Sequence, residues 1–179
     1  MMVTVVMRDD IQFKGMLLIN FRDYEFGESG ARCRRWIDVK SFSIPQISAS
    51  DDRLIAKLIE QEQFRDDYVG GGVDPKGTHH GPYRIECVSS DSYMHVESGY
   101  ALDLITDWID GCGVVPESLM LDVESNVLLR MRAATAIFEL RDLGDSAVGD
   151  YGFIHGEFHE LVVIDRNAGS LHLIIAADD

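Results

Sequence analysis

Apolar and polar residues alternate near both ends of the chain, and this spacing predicts a β-hairpin at each end. Near the N-terminus, Val3–Met7 and Gln12–Ile19 are rich in β-branched and apolar residues and are separated by only four residues, which is typical of paired antiparallel strands. Near the C-terminus, Phe158–Asp165 and Ser170–Ala176 form a second pair. Gly169 is the residue of the connecting turn that we expect to adopt the left-handed conformation.

Five further runs between the hairpins have the composition of strands. Each is rich in β-branched or apolar residues, and short polar segments separate them. These runs are Arg34–Phe42, Tyr83–Val88, Leu119–Val123, Val127–Met131 and Thr135–Leu140. Ser125-Asn126 is the predicted turn between the third run and the fourth.

Two segments instead repeat their apolar residues at the spacing of a helix. Asp51–Val69 places leucines and isoleucines on one stripe, and Ser48 or Ser50 precedes it as a candidate N-cap. Tyr100–Asp110 gives the clearest helical pattern, because apolar residues return every three to four positions while its aspartates fall between them. Gly111 is expected to end this helix.

Strands outnumber helices in this pattern, and the helices do not alternate with the strands. The pattern therefore predicts an α+β fold rather than a doubly wound one. We expect one domain over residues 1–179, with an antiparallel sheet of about six to eight strands, including both terminal hairpins, packed against two main helices. A chain of 179 residues with 46% hydrophobic residues can form such a core without a metal or a disulfide.

The net charge narrows the classes of partner. The chain has 16 Lys and Arg against 31 Asp and Glu, a formal charge of −15. Binding to nucleic acid or to an anionic membrane surface requires a surplus of cations. We therefore expect no direct contact with nucleic acid and none with a membrane.

The cysteines and the N-terminal residues suggest a cytoplasmic protein. Met1–Met7 is a short apolar stretch without a preceding basic flank, unlike a secretory signal. Cys33, Cys87 and Cys112 are widely spaced and form no Cys-x-x-Cys pair, so we expect three reduced thiols.

The negative charge is confined largely to the C-terminal half. Residues 1–84 have 12 cations and 13 anions, whereas residues 85–179 have 4 cations and 18 anions. No Lys or Arg lies between Arg84 and Arg130. Unless Arg32, Arg34 and Arg35 fold across to this segment, its surface should have a field of one sign, which accelerates association with a cationic partner.

This segregation predicts a non-enzymatic acidic binding protein of the inhibitor or immunity type. It would neutralise a cationic protein partner, such as a bacterial toxin or nuclease, without a cofactor. The carboxylates expected to contact the partner lie in residues 85–129: Asp91, Glu97, Asp103, Asp107, Asp110, Glu117, Asp122 and Glu124. An acidic surface that serves only solubility is the alternative explanation.

A second hypothesis is a small metal-dependent or acid/base enzyme. On a strand, His155, Glu157 and His159 would point to one face, where two imidazoles and a carboxylate could bind a divalent metal or transfer protons. His79 or His80, from the Gly-rich loop Gly70–Pro82, could join them. A solvated polar strand face is the alternative.

Overall fold

Residues 10–27, 33–45 and 49–178 are described by a computed structural model of the protein. They contain eight strands: β1 (Gln12–Asn20), β2 (Arg35–Ser43), β3 (His79–His80), β4 (Tyr83–Arg84), β5 (Tyr93–Val96), β6 (Ala136–Leu140), β7 (Phe158–Asp165) and β8 (Ser170–Asp178). The predicted strand Val3–Met7 lies outside the described residues.

Six of the strands form one antiparallel sheet in the order β1-β2-β8-β7-β6-β5, while β3 and β4 pair separately. The predicted C-terminal hairpin is confirmed as β7 and β8, which lie in the middle of the sheet, and Gly169 has the expected positive φ of 66°. Because all pairings in the large sheet are antiparallel and helices pack against it, the predicted α+β class is confirmed.

Two helices begin within two residues of where the sequence predicts them. In α1 (Asp51–Ile59) the Ser50 hydroxyl accepts a hydrogen bond from the Arg53 backbone N–H, but the helix ends ten residues earlier than Val69. The longer prediction was wrong because the apolar stripe stops at Ile59. In α2 (Ser98–Asp110) the helix ends at Gly111, as predicted.

The prediction of strands at Leu119–Val123 and Val127–Met131 is wrong. The chain is helical from Glu117 to Ala133, as α3 (Glu117–Val123), a π-helical turn (Glu124–Leu128) and α4 (Leu129–Ala133). Every fourth residue of this segment is buried, namely Leu119, Val123, Val127 and Met131. That repeat is the buried face of a helix. The strand prediction treated the segment as two short apolar runs divided by a turn and overlooked the repeat.

The strand prediction also differs from the structure between residues 83 and 96. Only Tyr83–Arg84 of the predicted strand Tyr83–Val88 pairs as a strand, and a 3₁₀ turn follows at Ile85–Cys87. The edge strand β5 was not predicted, because only four residues separate its polar flanks.

A hydrophobic core lies on each face of the sheet. On one face, which we call the α2 side, Ile37 and Val39 of β2 pack with α2, α3 and α4. On the other face, the α1 side, Trp36 and Phe42 of β2 pack with α1. Because side chains alternate along a strand, Asp38 and Lys40 also belong to the α1 side, within a core that is otherwise apolar and aromatic.

Candidate functional site

Three of the predicted partner-binding residues form a stripe along the exposed face of α2. Asp103, Asp107 and Asp110 are all exposed, and their spacing of four and three residues places them above one another on a helix. The opposite face of α2 is buried through Ala101, Ile105, Trp108 and Ile109. We call Asp103, Asp107 and Asp110 the acidic stripe.

The acidic stripe has little compensating charge. Within the described residues, none of its carboxylates forms an ion pair. Like charges four residues apart destabilise a helix by about 0.2–0.5 kcal/mol. Asp107 and Asp110 also lie in the last turn of α2, where the dipole disfavours anions. The stripe is therefore unfavourable for the isolated protein.

The remaining predicted carboxylates differ in their surroundings. On α3, Glu117 is exposed, and Asp122 accepts a hydrogen bond from the Tyr24 hydroxyl at 2.6 Å. Glu124 forms an ion pair with Arg132, and Glu97 is the N-cap residue of α2. These residues share the α2 side with the stripe.

Asp91 does not lie with the other predicted carboxylates. It belongs to a 3₁₀ turn, Ser90–Ser92, that packs against α1. The structure therefore places Asp91 beside the core on the opposite face of the sheet from α2.

Arg35 reaches the C-terminal end of α2 from the start of β2. Its guanidinium donates to the Trp108 backbone carbonyl, lies 5.0 Å from the centroid of the Trp108 ring, and is 4.0 Å from Glu157. This contact satisfies one free carbonyl at the end of the helix. Arg35 forms no ion pair with Asp107 or Asp110 in the part of the chain that the structure describes.

The predicted metal-binding residues are not on one strand face. His155 precedes β7 and packs on the α1 side near Trp36, with its two ring nitrogens 3.3 and 3.2 Å from the Asp178 and Asp67 carbonyl oxygens. His159 lies on the α2 side near Trp108. Glu157 lies 3.7 Å from the Nε2 atom of His159. The expectation of one shared face was wrong because β7 begins at Phe158.

In the described ranges, no group of three His, Cys, Asp or Glu side chains is arranged to bind a metal ion. His80 of the Gly-rich loop is completely buried on the α1 side, so it does not approach His159.

Two of the three cysteines form a disulfide, so the expectation of three reduced thiols was wrong. Cys33 and Cys112 are bonded, with their Cα atoms 5.8 Å apart, and Cys87 is free. The bond joins the segment before β2 to the end of α2, which are 79 residues apart and not predictable as neighbours from spacing. Disulfides are typical of oxidising compartments, so the cysteines do not support a cytoplasmic location.

The α1 side contains a buried cluster of charged residues. Lys40 is completely buried, and its ammonium group donates to Asp66 at 2.8 Å and to the Tyr68 hydroxyl at 2.9 Å. The other oxygen of Asp66 accepts from the Tyr68 backbone N–H at 3.0 Å. Both oxygens of Asp66 are therefore occupied, and Lys40 holds the segment around Tyr68 against β2.

Asp38 belongs to the same cluster but is not satisfied by it. It is 3% exposed, and its Oδ1 atom lies 3.7 Å from the Lys40 ammonium, beyond hydrogen-bond distance. Among the described residues, this oxygen has no hydrogen-bond partner. Burial raises the pKa of Asp38 to about 6, and the nearby Asp66 adds to the rise although Lys40 opposes it.

Asp38 and Asp66 form the floor of a cavity of about 420 Å³, which we call the Asp38 pocket. Its walls are largely apolar or aromatic. They comprise Met16, Leu18, Trp36, Tyr68, Val69 and Ile154, together with Asn20, Gly70 and Gly72. The antiparallel register explains this arrangement, because Leu18 lies opposite Asp38 and Met16 lies opposite Lys40. A cavity of this size with few converging polar groups is typical of a ligand site.

The wall of the pocket at Tyr68 is held in a strained conformation. Tyr68 has a φ of 58°, which bulky residues rarely adopt. Its ring stacks on Trp36 with centroids 5.4 Å apart, and the Lys40 ammonium lies 4.4 Å from the ring centroid. These contacts fix both aromatic rings at the edge of the cavity, as at sites where strain is retained for function.

A second buried hydrogen-bond network lies next to the pocket, where the ring of His80 is 6.1 Å from the ring of Tyr68. His80 bonds the Phe64 carbonyl oxygen at 2.5 Å through Nδ1 and Glu160 at 2.6 Å through Nε2, while the Tyr93 hydroxyl donates to Glu160. Gly81 follows with a φ of 51°, and a Cβ there would collide with the ring of Phe158. All these polar groups have partners, so this network is structural.

The sequence interpretation missed Asp38, Asp66 and Tyr68. The alternation of side chains along β2 could have located Asp38. Asp38 and Lys40 lie an even number of residues from Trp36 and Phe42, so all four side chains point to the same face of the sheet and enter the same core. Asp66 and Tyr68 were assigned to a helix that ends before them, and no local pattern places them over β2.

Compared with models of protein families and with curated proteins, the chain matches none. In the described residues, none of the helices combines the length and hydrophobicity that crossing a bilayer requires.

Proposed function

We propose that the protein is a non-enzymatic acidic binding protein of the inhibitor or immunity type, which neutralises a protein with a cationic surface, such as a toxin or nuclease. The observation that supports this proposal is the acidic stripe: three exposed aspartates on one face of α2, without an ion pair among the described residues. Glu117 and Asp122 extend the negative surface on α3.

The energetics of α2 favour a binding role over a role in solubility alone. Solubility depends on net charge and does not require three carboxylates on one helical face. The arrangement is unfavourable in the free protein, through repulsion within the stripe and through the helix dipole. A cationic surface that docks on α2 removes both penalties, so the same charges that destabilise the free protein stabilise the complex.

The experiment is affinity capture from an extract with two matched variants. The stripe variant combines Asp103→Asn, Asp107→Asn and Asp110→Asn. The control variant combines Glu60→Gln, Glu62→Gln and Asp150→Asn, three exposed carboxylates without an ion pair in the described residues. Both variants change the net charge equally, so only the position of the charge differs.

We expect the wild type and the control variant to retain a basic protein that about 0.5 M salt releases, since salt screens exposed charges. The stripe variant should retain at least tenfold less of it, because close charge pairs across an interface each contribute about 1.5 kcal/mol or more. Equal retention by the two variants, or the absence of any basic protein, would refute the proposal.

A further inference from the structure

We propose that the Asp38 pocket binds a primary ammonium group attached to an apolar chain. The charges that line this pocket favour a cation. Asp38 and Asp66 are the two charged residues that line the described cavity, and Lys40 beneath them supplies a single positive charge. One negative charge therefore remains uncompensated at the floor of the pocket.

Asp38, which lines the cavity, has a carboxylate oxygen without a hydrogen-bond donor among the described residues. Both oxygens of Asp66 already accept hydrogen bonds, from Lys40 and from the Tyr68 backbone. The Oδ1 atom of Asp38 accepts none from the described residues, although the side chain is almost completely buried. A buried carboxylate oxygen without a donor is costly to the folded state. A ligand that brings N–H donors and a positive charge removes that cost.

The walls of the pocket favour an apolar chain attached to the cation. Trp36 and Tyr68 line the cavity and stack on each other, so they contribute aromatic surface to its wall. Toward the mouth, Met16, Leu18 and Ile154 are about half exposed, at 55%, 54% and 45%. Large apolar side chains exposed around a cavity mark a surface that gains from contact with an apolar ligand. The ligand should therefore have its ammonium group at the floor and its carbon chain between these side chains.

The test uses hexylamine as the probe and 1-hexanol as its uncharged counterpart, titrated into the full-length protein by calorimetry. We expect hexylamine to bind the wild type at least tenfold more tightly than hexanol does, since hydrogen bonds to a buried charged group contribute about 1.5–3 kcal/mol. In Asp38→Asn this preference should disappear. Glu60→Gln, an equal change of charge at an exposed residue that does not line the pocket, should leave it intact.

Two further readouts separate recognition by Asp38 from simple partition into an apolar cavity. Hexylamine should bind roughly tenfold more weakly near pH 5 than near pH 7, because the carboxyl of Asp38, whose pKa is about 6, must be ionised. Lys40, Asp66 and Tyr68 are the titratable groups that face Asp38, whereas Leu18 opposite it is uncharged. Hexyltrimethylammonium, which has no N–H donor, should bind at least tenfold more weakly than hexylamine.

Equal affinities for hexylamine and hexanol, or an unchanged preference in Asp38→Asn, would overturn the proposal. Equal affinity for the trimethylated amine would also overturn it, because the cation would then be recognised by the aromatic rings alone. Comparison of hexylamine with the amide of N-acetyl-lysine identifies the source of the group: tighter binding of hexylamine indicates a free amine, and tighter binding of the lysine derivative indicates a lysine side chain.

Discussion

Asp38 is a buried carboxylate with an oxygen that has no hydrogen-bond donor among the described residues. Its protonation is therefore coupled to folding. Its pKa is about 6 in the folded protein, against ~3.9 for an unperturbed aspartate. Between these values the folded state binds the proton more strongly than the unfolded state does. The contribution of Asp38 to the free energy of unfolding therefore falls as the pH rises from about 4 to about 6.

Replacing Asp38 with Asn should remove this pH dependence. Relative to the wild type, the free energy of unfolding of Asp38→Asn should increase between pH ~4 and ~6, by at most ~1.4 kcal/mol per pH unit and on the order of 2 kcal/mol in total. Denaturant titrations of both proteins at each pH measure the difference between their free energies of unfolding. The contributions of the other titrating groups are the same in both proteins and cancel in this difference. A difference that does not vary with pH would contradict the assignment.

His172 should show the opposite dependence. Its Nδ1 atom accepts hydrogen bonds from the Ser41 hydroxyl at 2.9 Å and from Arg130 at 3.2 Å. Burial, with the charge of Arg130, lowers the pKa of His172 to about 4, although Asp165 opposes the shift. Its contribution to stability is complete above pH ~6.5 and is lost as the pH falls toward about 4. In His172→Gln, the free energy of unfolding relative to the wild type should therefore decrease as the pH rises through this window.

Secondary-structure elements were predictable where one pattern dominated a segment. The C-terminal hairpin and α2 have uniform periodicity, and both were located to within two residues at each end. The segment Glu117–Ala133 contains two short apolar runs divided by the polar residues Ser125-Asn126. This division was interpreted as a turn, although the four-residue repeat continues through it. Contacts between distant elements, such as Asp66 with Lys40 or Cys33 with Cys112, arise from tertiary packing and leave no local pattern.

The disulfide between Cys33, which precedes β2, and Cys112, which follows α2, can be tested by counting the reactive thiols of the protein. With the Cys33–Cys112 bond formed, protein denatured without reductant should contain one reactive thiol, Cys87, and reduced protein should contain three. Because the bond spans 79 residues, we expect reduction to lower the free energy of unfolding by roughly 2–4 kcal/mol. Three reactive thiols in protein purified without reductant would show that the bond does not form.

Within α2, the charge arrangement predicts a stability gain from a single substitution. Asp110 lies in the last turn of the helix, where an anion is unfavourable by about 0.3–1 kcal/mol. We expect Asp110→Asn to raise the free energy of unfolding by about 0.5 kcal/mol and to weaken capture of the cationic partner. A matched Asp52→Asn substitution in the first turn of α1 should lower stability instead. If Asp110→Asn destabilises the protein, the stripe is not under electrostatic strain.

At the scale of the whole molecule, the sheet separates two acidic sites that differ in depth. The acidic stripe is an exposed surface on the α2 side, where we propose that a protein binds. The Asp38 pocket is a recess on the α1 side, where we propose that one ammonium group binds. The charge of the sequence indicated the first candidate site, because exposed carboxylates contribute directly to the net charge. It could not predict the second, where a single uncompensated aspartate lies in the half of the chain with a nearly balanced charge.

The most direct test of the proposed binding function is the association rate of the captured basic protein with the wild type, the stripe variant and the control variant across ionic strength. For the wild type and the control variant, we expect the rate to fall at least tenfold between low salt and about 0.5 M salt. The stripe variant should associate about tenfold more slowly at low salt and depend weakly on salt. A stripe variant that associates as fast as the wild type at every ionic strength would contradict the proposed role of the acidic stripe in binding a cationic protein.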